Sequence, residues 1–293
     1  MNSTKTTEQI NPNSKDINRK SISEILEIFN SEDLKIIESV KRVLPNLEKL
    51  INDVINAFKN QGKLYYIGSG TSGRLGVLDA SECPPNFGTN TNLLQGIIAG
   101  GYEAVFKSIE GAEDSKENGV KIIQDKNISK LDVVVGISAS GTTPYVLGAL
   151  KKAYQIGSVT ALIQSNQYEY NYVKHSINAI VGPELISGST RMKAGTATKM
   201  ILNMITTITM IKINKTHGNI MSDLKVANDK LLNRGINIIT DMLPISKSQA
   251  KEYLSQSGGN IKIAVIMCNH DVSLEEAELI LNKNNNSLSG IIN

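Results

Sequence analysis

Two segments of this sequence combine glycines with hydroxyl side chains, a combination suited to holding a phosphate. Residues 68–74 read GSGTSGR and residues 136–144 read GISASGTTP, and each belongs to or follows a short apolar run. Such a run ending at glycine is typical of a buried strand, so each segment lies where a strand gives way to a helix. Backbone N–H groups and the helix dipole bind anions at turns of this kind.

The hydroxyl groups outnumber what helix capping requires. The second segment carries four of them, whereas one side chain caps a helix. We therefore favour a phosphorylated small ligand over simple capping, in one crevice at the carboxyl ends of parallel strands. The candidate contacts are Ser69, Gly70, Thr71, Ser72, Ser138, Ser140, Thr142 and Thr143.

The first segment also fits the GxGxxG pattern of dinucleotide-binding folds, with glycines at positions 68, 70 and 73. That pattern requires an acidic residue about 20 residues further on, at the end of a second strand. The nearby acids, Asp79 and Glu82, fall in or just after the expected helix. Dinucleotide binding is therefore the weaker interpretation.

A third cluster, residues 187–198, reads SGSTRMKAGTAT and precedes a long apolar helix. Cations at a helix N-terminus oppose its dipole, so Arg191 and Lys193 are best explained by an anion or a carboxylate nearby. The alternative is a solvated surface pair. Ser189, Thr190 and Lys193 complete the candidate phosphate contacts.

Two acidic groups are candidates for proton transfer. Glu82 precedes Cys-Pro-Pro, and the prolines are expected to end the helix there. A carboxylate at a helix C-terminus is disfavoured, so Glu82 is either solvated or a general acid or base beside the ligand. In EGAED, Glu110 shares a helical face with Glu113 or Asp114, which is most often a solvated face.

Composition excludes several classes of function. The 293 residues are 40% hydrophobic and 20% charged, as in an ordinary globular protein. The net charge of +3 is spread along the chain, and aromatics are 4% with no Trp, so we expect no nucleic-acid or membrane binding. Two distant cysteines and three scattered histidines form no metal pattern. The polar start is no signal peptide, and the cytoplasm is the expected compartment.

The elements that would position these residues alternate between strand and helix. Ser21 opens a short helix with a capping box, Ser31 caps a second, and Pro45 marks a break or the first turn of a third. Apolar runs predict strands at 64–67, 93–99, 131–135, 159–163 and 177–181. The expected fold class is α/β, a parallel sheet sandwiched by helices, with a small helical bundle at the end.

Three regions are expected along the chain. Residues 1–20 are polar and expected to be flexible, residues 21–238 form the α/β domain with its amino-terminal helices, and residues 239–293 form the bundle. Capping boxes at Ser246 and Ser273 support helices near 247–256 and 274–283, with a third near 261–268. So small a bundle is expected to dock on the main domain.

The hydroxyl-rich loops resemble those of the sugar isomerase (SIS) domain, a flavodoxin-like fold that binds phosphosugars. More specifically, an ordered set of motifs resembles the N-acetylmuramic acid 6-phosphate etherase family, related to the glucokinase regulatory protein. These motifs are TEQIN, GSGTSGRLGVLDASECPPNFG, IIAGG, EGAED, DVVVGISASGTTPY, GPELISGSTRMKAGTATKMILNM and GNIMSDL. The end of the chain resembles that family's ubiquitin-associated-like bundle.

The resemblance implies a cofactor-independent, cytoplasmic bacterial lyase of cell-wall sugar recycling that works as a homodimer. It would convert N-acetylmuramate 6-phosphate to N-acetylglucosamine 6-phosphate and D-lactate, by elimination and then addition of water. The family's two acid–base carboxylates correspond to Glu82 and Glu113, which we assign as acid and base respectively. No metal is implied.

The sequence departs from the family pattern at four positions. Ser69 and Ser138 stand where the family usually has Ala, Thr142 where it has Arg, and Asn86 where it has Thr. The missing Arg puts substrate affinity in question. Two alternatives stay open: an aldose–ketose phosphosugar isomerase, and a non-catalytic phosphosugar-binding regulator resembling the longer, two-domain glucokinase regulatory protein.

Overall fold

The computed structural model describes residues 5–224, 226 and 228–292 of the chain. The chain forms two compact units, the first from residues 1–81 and 92–206 and the second from residues 82–91 and 207–293. Across the described residues, none of the helices combines the length and hydropathy that crossing a bilayer demands.

The first unit is built on a five-stranded sheet. Its strands are β1 (Leu64–Gly68), β2 (Leu94–Ile98), β3 (Val133–Ile137), β4 (Val159–Gln164) and β5 (His175–Asn178). The order is β2-β1-β3-β4-β5, and every neighbouring pair is parallel. Each predicted apolar run lies in or overlaps a strand, but β3 begins two residues later than its run. Asp132 accounts for this, because its carboxylate accepts the backbone N–H groups of Lys63 and Ser129 at 2.8 and 2.7 Å.

The chain reverses its direction across the sheet between β1 and β3. From β1 it moves outward to β2, then returns to the other side of β1 for β3 and continues to β5. Gly68, the last residue of β1, therefore lies opposite Ile137, the last residue of β3. Such a switch point opens a crevice at the carboxyl ends of the strands, where ligands of open α/β sheets bind.

The described part of the chain contains ten α-helices. They are α1 (Ile22–Lys59), α2 (Gly70–Phe87), α3 (Glu103–Phe106), α4 (Lys116–Asp125), α5 (Pro144–Ile156), α6 (Lys193–Lys212), α7 (Asp229–Met242), α8 (Lys247–Gln256), α9 (Ile261–His270) and α10 (Leu274–Lys283). Helix α5 packs on β1, β3 and β4, and α1 packs on β5 and β3. Every residue of β1 and β3 is buried, so both faces of the sheet are covered. The predicted sandwich of helices around a parallel sheet is confirmed.

The prediction of separate amino-terminal helices is wrong. Ser21 does begin a helix with the predicted capping box, but α1 then runs for 38 residues without a second start at Ser31. Pro45 lies inside it on the exposed side, where the carbonyl that loses its partner, that of Lys41, can bond to water. A continuous buried stripe holds the helix together across the proline; it comprises Ile36, Val40, Val43, Leu47, Leu50 and Val54.

The expectation that Pro84 and Pro85 end their helix is also wrong, because α2 continues to Phe87. Proline has a helical φ, and near the end of a helix it removes only the bonds to the carbonyls of residues 80 and 81. The backbone N–H of Gly88 bonds to the carbonyl of Pro84 at 3.0 Å and completes the last turn.

Residues 5–20, here called the amino-terminal segment, form three short 3-10 turns at Thr6–Glu8, Pro12–Ser14 and Ile17–Arg19. Thr7 and Asn11 are buried, so the segment packs against the rest of the first unit. Its expected flexibility stays a prediction, and residues 1–4 lie outside the described residues.

The second unit has its own core, built by α7 to α10. The capping boxes at Ser246 and Ser273 form as predicted, and the three predicted helices are α8, α9 and α10. Helix α7 contributes Ile236 and Ile239 to the same core, on both sides of the predicted boundary after residue 238. That boundary and the docking of the bundle stay predictions.

Candidate active site

The second hydroxyl loop, residues 138–143, is folded by its own side chains. Ser138 is buried, and its Oγ lies 2.8 Å from Thr143 Oγ1 and 3.2 Å from Ser140 Oγ. The same oxygen accepts the backbone N–H of Gly141 at 3.1 Å. Gly141 has φ of +75°, and a Cβ there would lie 2.0 Å from Gln164 Oε1. Ser140, Thr142 and Thr143 remain half-buried at the carboxyl end of β3.

The first hydroxyl loop, residues 69–72, opens onto a cavity at the end of the neighbouring strand β1. The cavity has a volume of about 180 Å³, and its lining includes Ser69, Gly70, Arg74, Lys107, Glu110 and Glu113. Ser69 Oγ donates a hydrogen bond to Glu113 Oε2 at 3.1 Å. The Glu113 backbone is held in turn, because its carbonyl accepts the N–H of Tyr145 at 3.0 Å. A predicted base and a predicted phosphate contact are thus neighbours.

The start of α6 is held by carboxylates of the protein. Glu184 accepts the backbone N–H groups of Lys193 and Ala194 at 3.1 and 2.9 Å. Burial raises the pKa of Glu184, although these two N–H groups oppose the shift. The Lys193 ammonium forms an ion pair with Glu32 at 2.5 Å, and both side chains are 2% exposed. For Lys193, the structure therefore contains the carboxylate that the sequence suggested as one explanation.

Gly195 of the third cluster lies beside the first loop. A Cβ on Gly195 would be 3.7 Å from both Thr71 Cγ2 and the carbonyl oxygen of Thr190. Thr190 and Ser189 are half-buried, and Arg191 is exposed. The structure therefore brings the first and third clusters together, and Gly68 and Ile137 bring the first and second loops to adjacent strand ends.

The amino-terminal segment links the second loop to the third cluster. The backbone N–H of Thr6 donates to Asn166 Oδ1 at 2.7 Å, and Asn166 Nδ2 donates to Thr7 Oγ1 at 3.1 Å. Asn166 Nδ2 also lies 3.1 Å from the carbonyl oxygen of Ser140. On the other side, the N–H of Gly188 bonds to the carbonyl of Thr7 at 3.2 Å. One short stretch of chain therefore spans two of the three predicted clusters.

Known proteins resemble this chain over nearly its whole length. An N-acetylmuramic acid 6-phosphate etherase from Clostridium acetobutylicum is 47% identical over 279 residues, which cover 94% of this chain and 92% of that protein. This chain belongs to the N-acetylmuramic acid 6-phosphate etherase family. A second member, from Oceanobacillus iheyensis, is 45% identical over 93% of this chain and 95% of its own. Among solved structures, a phosphoheptose isomerase from Francisella tularensis aligns with a TM-score of 0.46 and 16% identity, over 65% of this chain and 98% of that one.

Two family models match parts of this etherase-family chain. Residues 46–154 match the N-terminal SIS domain of glucokinase regulatory protein, and residues 218–263 match the C-terminal lid domain of the same protein. The first match contains β1, β2, β3 and both hydroxyl loops. The predicted SIS domain is therefore confirmed.

The second predicted carboxylate of the etherase family, Glu82, lies in the second unit. It is exposed in the last turns of α2, where Asn86 Nδ2 donates to its carbonyl oxygen at 2.8 Å and lies 3.4 Å from its Oε2. Glu113 is exposed as well. Both carboxylates are therefore open to solvent in the described chain.

Sequence reasoning assigned no role to three side chains around the loops. Arg74 fixes the cavity wall, with Nε donating to the Val105 carbonyl at 2.9 Å and Nη2 to the Lys107 carbonyl at 3.2 Å. Asn166 and Lys5 were the other two. The sequence did contain a signal for Asn166, because this residue follows the end of β4. Ligands of open parallel sheets bind at the carboxyl ends of the strands. Lys5 had none, because its contact is 137 residues away in the sequence.

Proposed function

We propose that this protein is a carbon–oxygen lyase that cleaves the D-lactyl ether of N-acetylmuramate 6-phosphate. The products are N-acetylglucosamine 6-phosphate and D-lactate. Membership of the etherase family supports the reaction, and the observation that carries it is Glu113 bonded to Ser69 at 3.1 Å. That bond places a carboxylate at the end of β1, one strand away from the second hydroxyl loop.

The chemical problem is that an ether oxygen is a poor leaving group at neutral pH. Opening of the sugar ring exposes the C1 aldehyde, which acidifies the proton on C2. Glu113 removes this proton, and Glu82 protonates the lactyl oxygen as its bond to C3 breaks. Water then adds at C3 of the unsaturated aldehyde and the ring closes. This scheme uses side chains alone and requires no cofactor.

The 6-phosphate is held by the two hydroxyl loops, whose backbone N–H groups lie at the starts of α2 and α5. Ser189 and Thr190 extend this site, while Lys193 acts through its ion pair with Glu32. Anchoring the phosphate orients C2 and C3 toward the carboxylates. We further propose that the protein acts in the bacterial cytoplasm, in amino sugar recycling, as a homodimer.

The deciding experiment is a lactate assay on the purified full-length chain with N-acetylmuramate 6-phosphate. We expect stoichiometric release of D-lactate and N-acetylglucosamine 6-phosphate. A ketose phosphate product without lactate would identify an isomerase, which transfers the C2 proton but has no leaving group. Tight binding of the phosphosugar with no product would identify a regulator.

Ser140→Ala tests the phosphate-binding loop. Ser140 Oγ lies 3.2 Å from Ser138 Oγ and accepts the N–H of Thr142 at 3.2 Å, so the substitution removes one polar group of the proposed cradle. We expect KM for N-acetylmuramate 6-phosphate to rise about fivefold to tenfold with a smaller change in kcat, as for the loss of one hydrogen bond. Steady-state lactate release measures both constants.

Ser158→Ala is the matched control. Ser158 is a buried serine at the opposite end of the sheet, where its Oγ donates to the Ser129 carbonyl at 2.7 Å. The KM of the Ser158→Ala variant is expected to equal that of the wild type. An unchanged KM in Ser140→Ala would contradict the role of the loop.

A further inference from the structure

The two hydroxyl loops of the proposed phosphate site contain no positively charged side chain. A phosphate monoester carries about −1.5 to −2 charges at pH 7. Residues 138–143 are Ser, Ala, Ser, Gly, Thr and Thr, so this loop offers hydroxyl and N–H groups alone. Of the two cations that the sequence suggested, Lys193 is paired with Glu32 inside the first unit, and Arg191 is exposed. Beside the first loop, Arg74 donates to two backbone carbonyls and Lys107 forms an ion pair with Glu103.

We propose that Lys5 is the phosphate-binding cation of the site. Lys5 Nζ lies 3.1 Å from Thr142 Oγ1 and is brought there by the amino-terminal segment. Among the residues that the structure describes, no carboxylate lies within ion-pair distance of Lys5. A lysine ammonium has three N–H donors, so two remain for a ligand after the contact with Thr142.

The residues that follow Lys5 are bonded to the rest of the first unit. The next residue, Thr6, bonds through its N–H to Asn166, and Thr7 bonds through its carbonyl to the N–H of Gly188. Thr7 and Asn166 are 2% and 3% exposed. Asn166 also lies 3.1 Å from the Ser140 carbonyl, so one side chain holds both the loop and the segment that carries Lys5. This arrangement limits the entropy that ordering the ammonium would cost.

The proposal rests on the proposed function, because it takes the hydroxyl loops to hold the 6-phosphate. Its test uses Lys5→Met in the full-length chain, with inorganic phosphate as the calorimetric ligand. We expect the Kd for phosphate to rise about tenfold, as for loss of one charge-assisted hydrogen bond. KM for N-acetylmuramate 6-phosphate should rise by a similar factor while kcat changes little. Lys5→Arg should restore most of the affinity.

A salt series separates the charge of Lys5 from a structural role. The affinity ratio between wild type and Lys5→Met should shrink as ionic strength rises from about 0.01 to 1 M, where the Debye length falls from about 30 to 3 Å. A role in packing alone would leave the ratio unchanged and would overturn the proposal. Lys15→Met is the control, because Lys15 is an exposed lysine of the same segment.

The outcomes distinguish this proposal from the proposed function. Wild-type protein that binds phosphate but releases no lactate would overturn the etherase reaction, while a weaker Lys5→Met would still support the cation. Lys5→Met that binds phosphate as well as wild type and Lys15→Met would overturn the cation, even if lactate is released. A wild-type protein that binds no phosphate would overturn the cation as well.

Discussion

Glutamine in place of Glu113 is expected to lower kcat for lactate release by about 10²–10⁴-fold, the contribution typical of one general acid or base. The amide cannot accept the C2 proton, but it is close in size to the carboxylate and can still accept the hydrogen bond from Ser69. Binding of N-acetylglucosamine 6-phosphate should therefore survive in the variant. Lactate release and calorimetry on the same preparation measure the two properties.

Glu82→Gln is expected to cause a similar loss, and solvent exchange separates the two roles. In heavy water, Glu82→Gln should still exchange the C2 proton of the substrate, because the base is intact. Glu113→Gln should exchange none. Glu117→Gln is the control, an exposed carboxylate in the first turn of α4 whose loss should leave kcat unchanged. Wild-type turnover in Glu113→Gln would remove Glu113 from the mechanism, and the reverse exchange pattern would swap acid and base.

Glu32→Gln is expected to destabilise the folded chain by about 3–5 kcal/mol at pH 7, the cost of leaving one partner of a buried ion pair unpaired. The uncompensated group is the ammonium of Lys193, which is 2% exposed. Urea unfolding followed by circular dichroism measures the difference. Glu38→Gln, on the exposed side of α1, should change stability by less than about 0.5 kcal/mol.

The pH dependence of this difference is set by the pKa of Glu32. Burial opposes its ionisation, but hydrogen bonds from Lys193, Lys35, Asn13 and Asn11 outweigh burial and lower the pKa from 4.5 to about 2. A carboxyl whose folded pKa is depressed stabilises the fold above its unfolded pKa and loses that effect as pH falls. The gap between wild type and Glu32→Gln should thus be constant near neutrality and shrink between pH 4.5 and about 2. A gap that is independent of pH would contradict the ion pair.

Replacing both partners provides a second check on the same pair. Glu32→Met combined with Lys193→Met removes the two charges together, so no buried charge is left without a partner. The double variant should be more stable than Glu32→Gln, because truncating one partner costs more than replacing both by apolar groups.

Local patterns predicted most of the sheet and both hydroxyl loops. The strands are nearly continuous apolar runs, and glycine marks where β1 ends, so periodicity was sufficient to find them. The capping boxes at Ser246 and Ser273 were equally reliable, since the whole motif lies within four consecutive residues. In these elements the residues whose interactions determine the local structure are close together in the sequence.

The sequence was insufficient where the local structure depends on contacts between residues that are far apart in the chain. The sequence predicted a helix boundary at Pro45 because proline removes a hydrogen bond between neighbouring turns of the helix. The buried stripe that keeps α1 intact depends instead on packing against β5 and β3, which are distant in the sequence. The sequence did predict an anion or a carboxylate near Lys193, but it could not identify Glu32, which is 161 residues away. One sequence contains no signal for such a pairing.

The amino-terminal segment is synthesised long before the residues that it contacts in the folded protein. Its partners Thr142 and Gly188 are synthesised more than 130 residues after it. During translation the segment therefore leaves the ribosome before these partners, while its polar groups can bond only to water or to transient neighbours. The β1, β2 and β3 strands are all made before residue 188. The segment is made before these strands, but it can complete its contacts only after them.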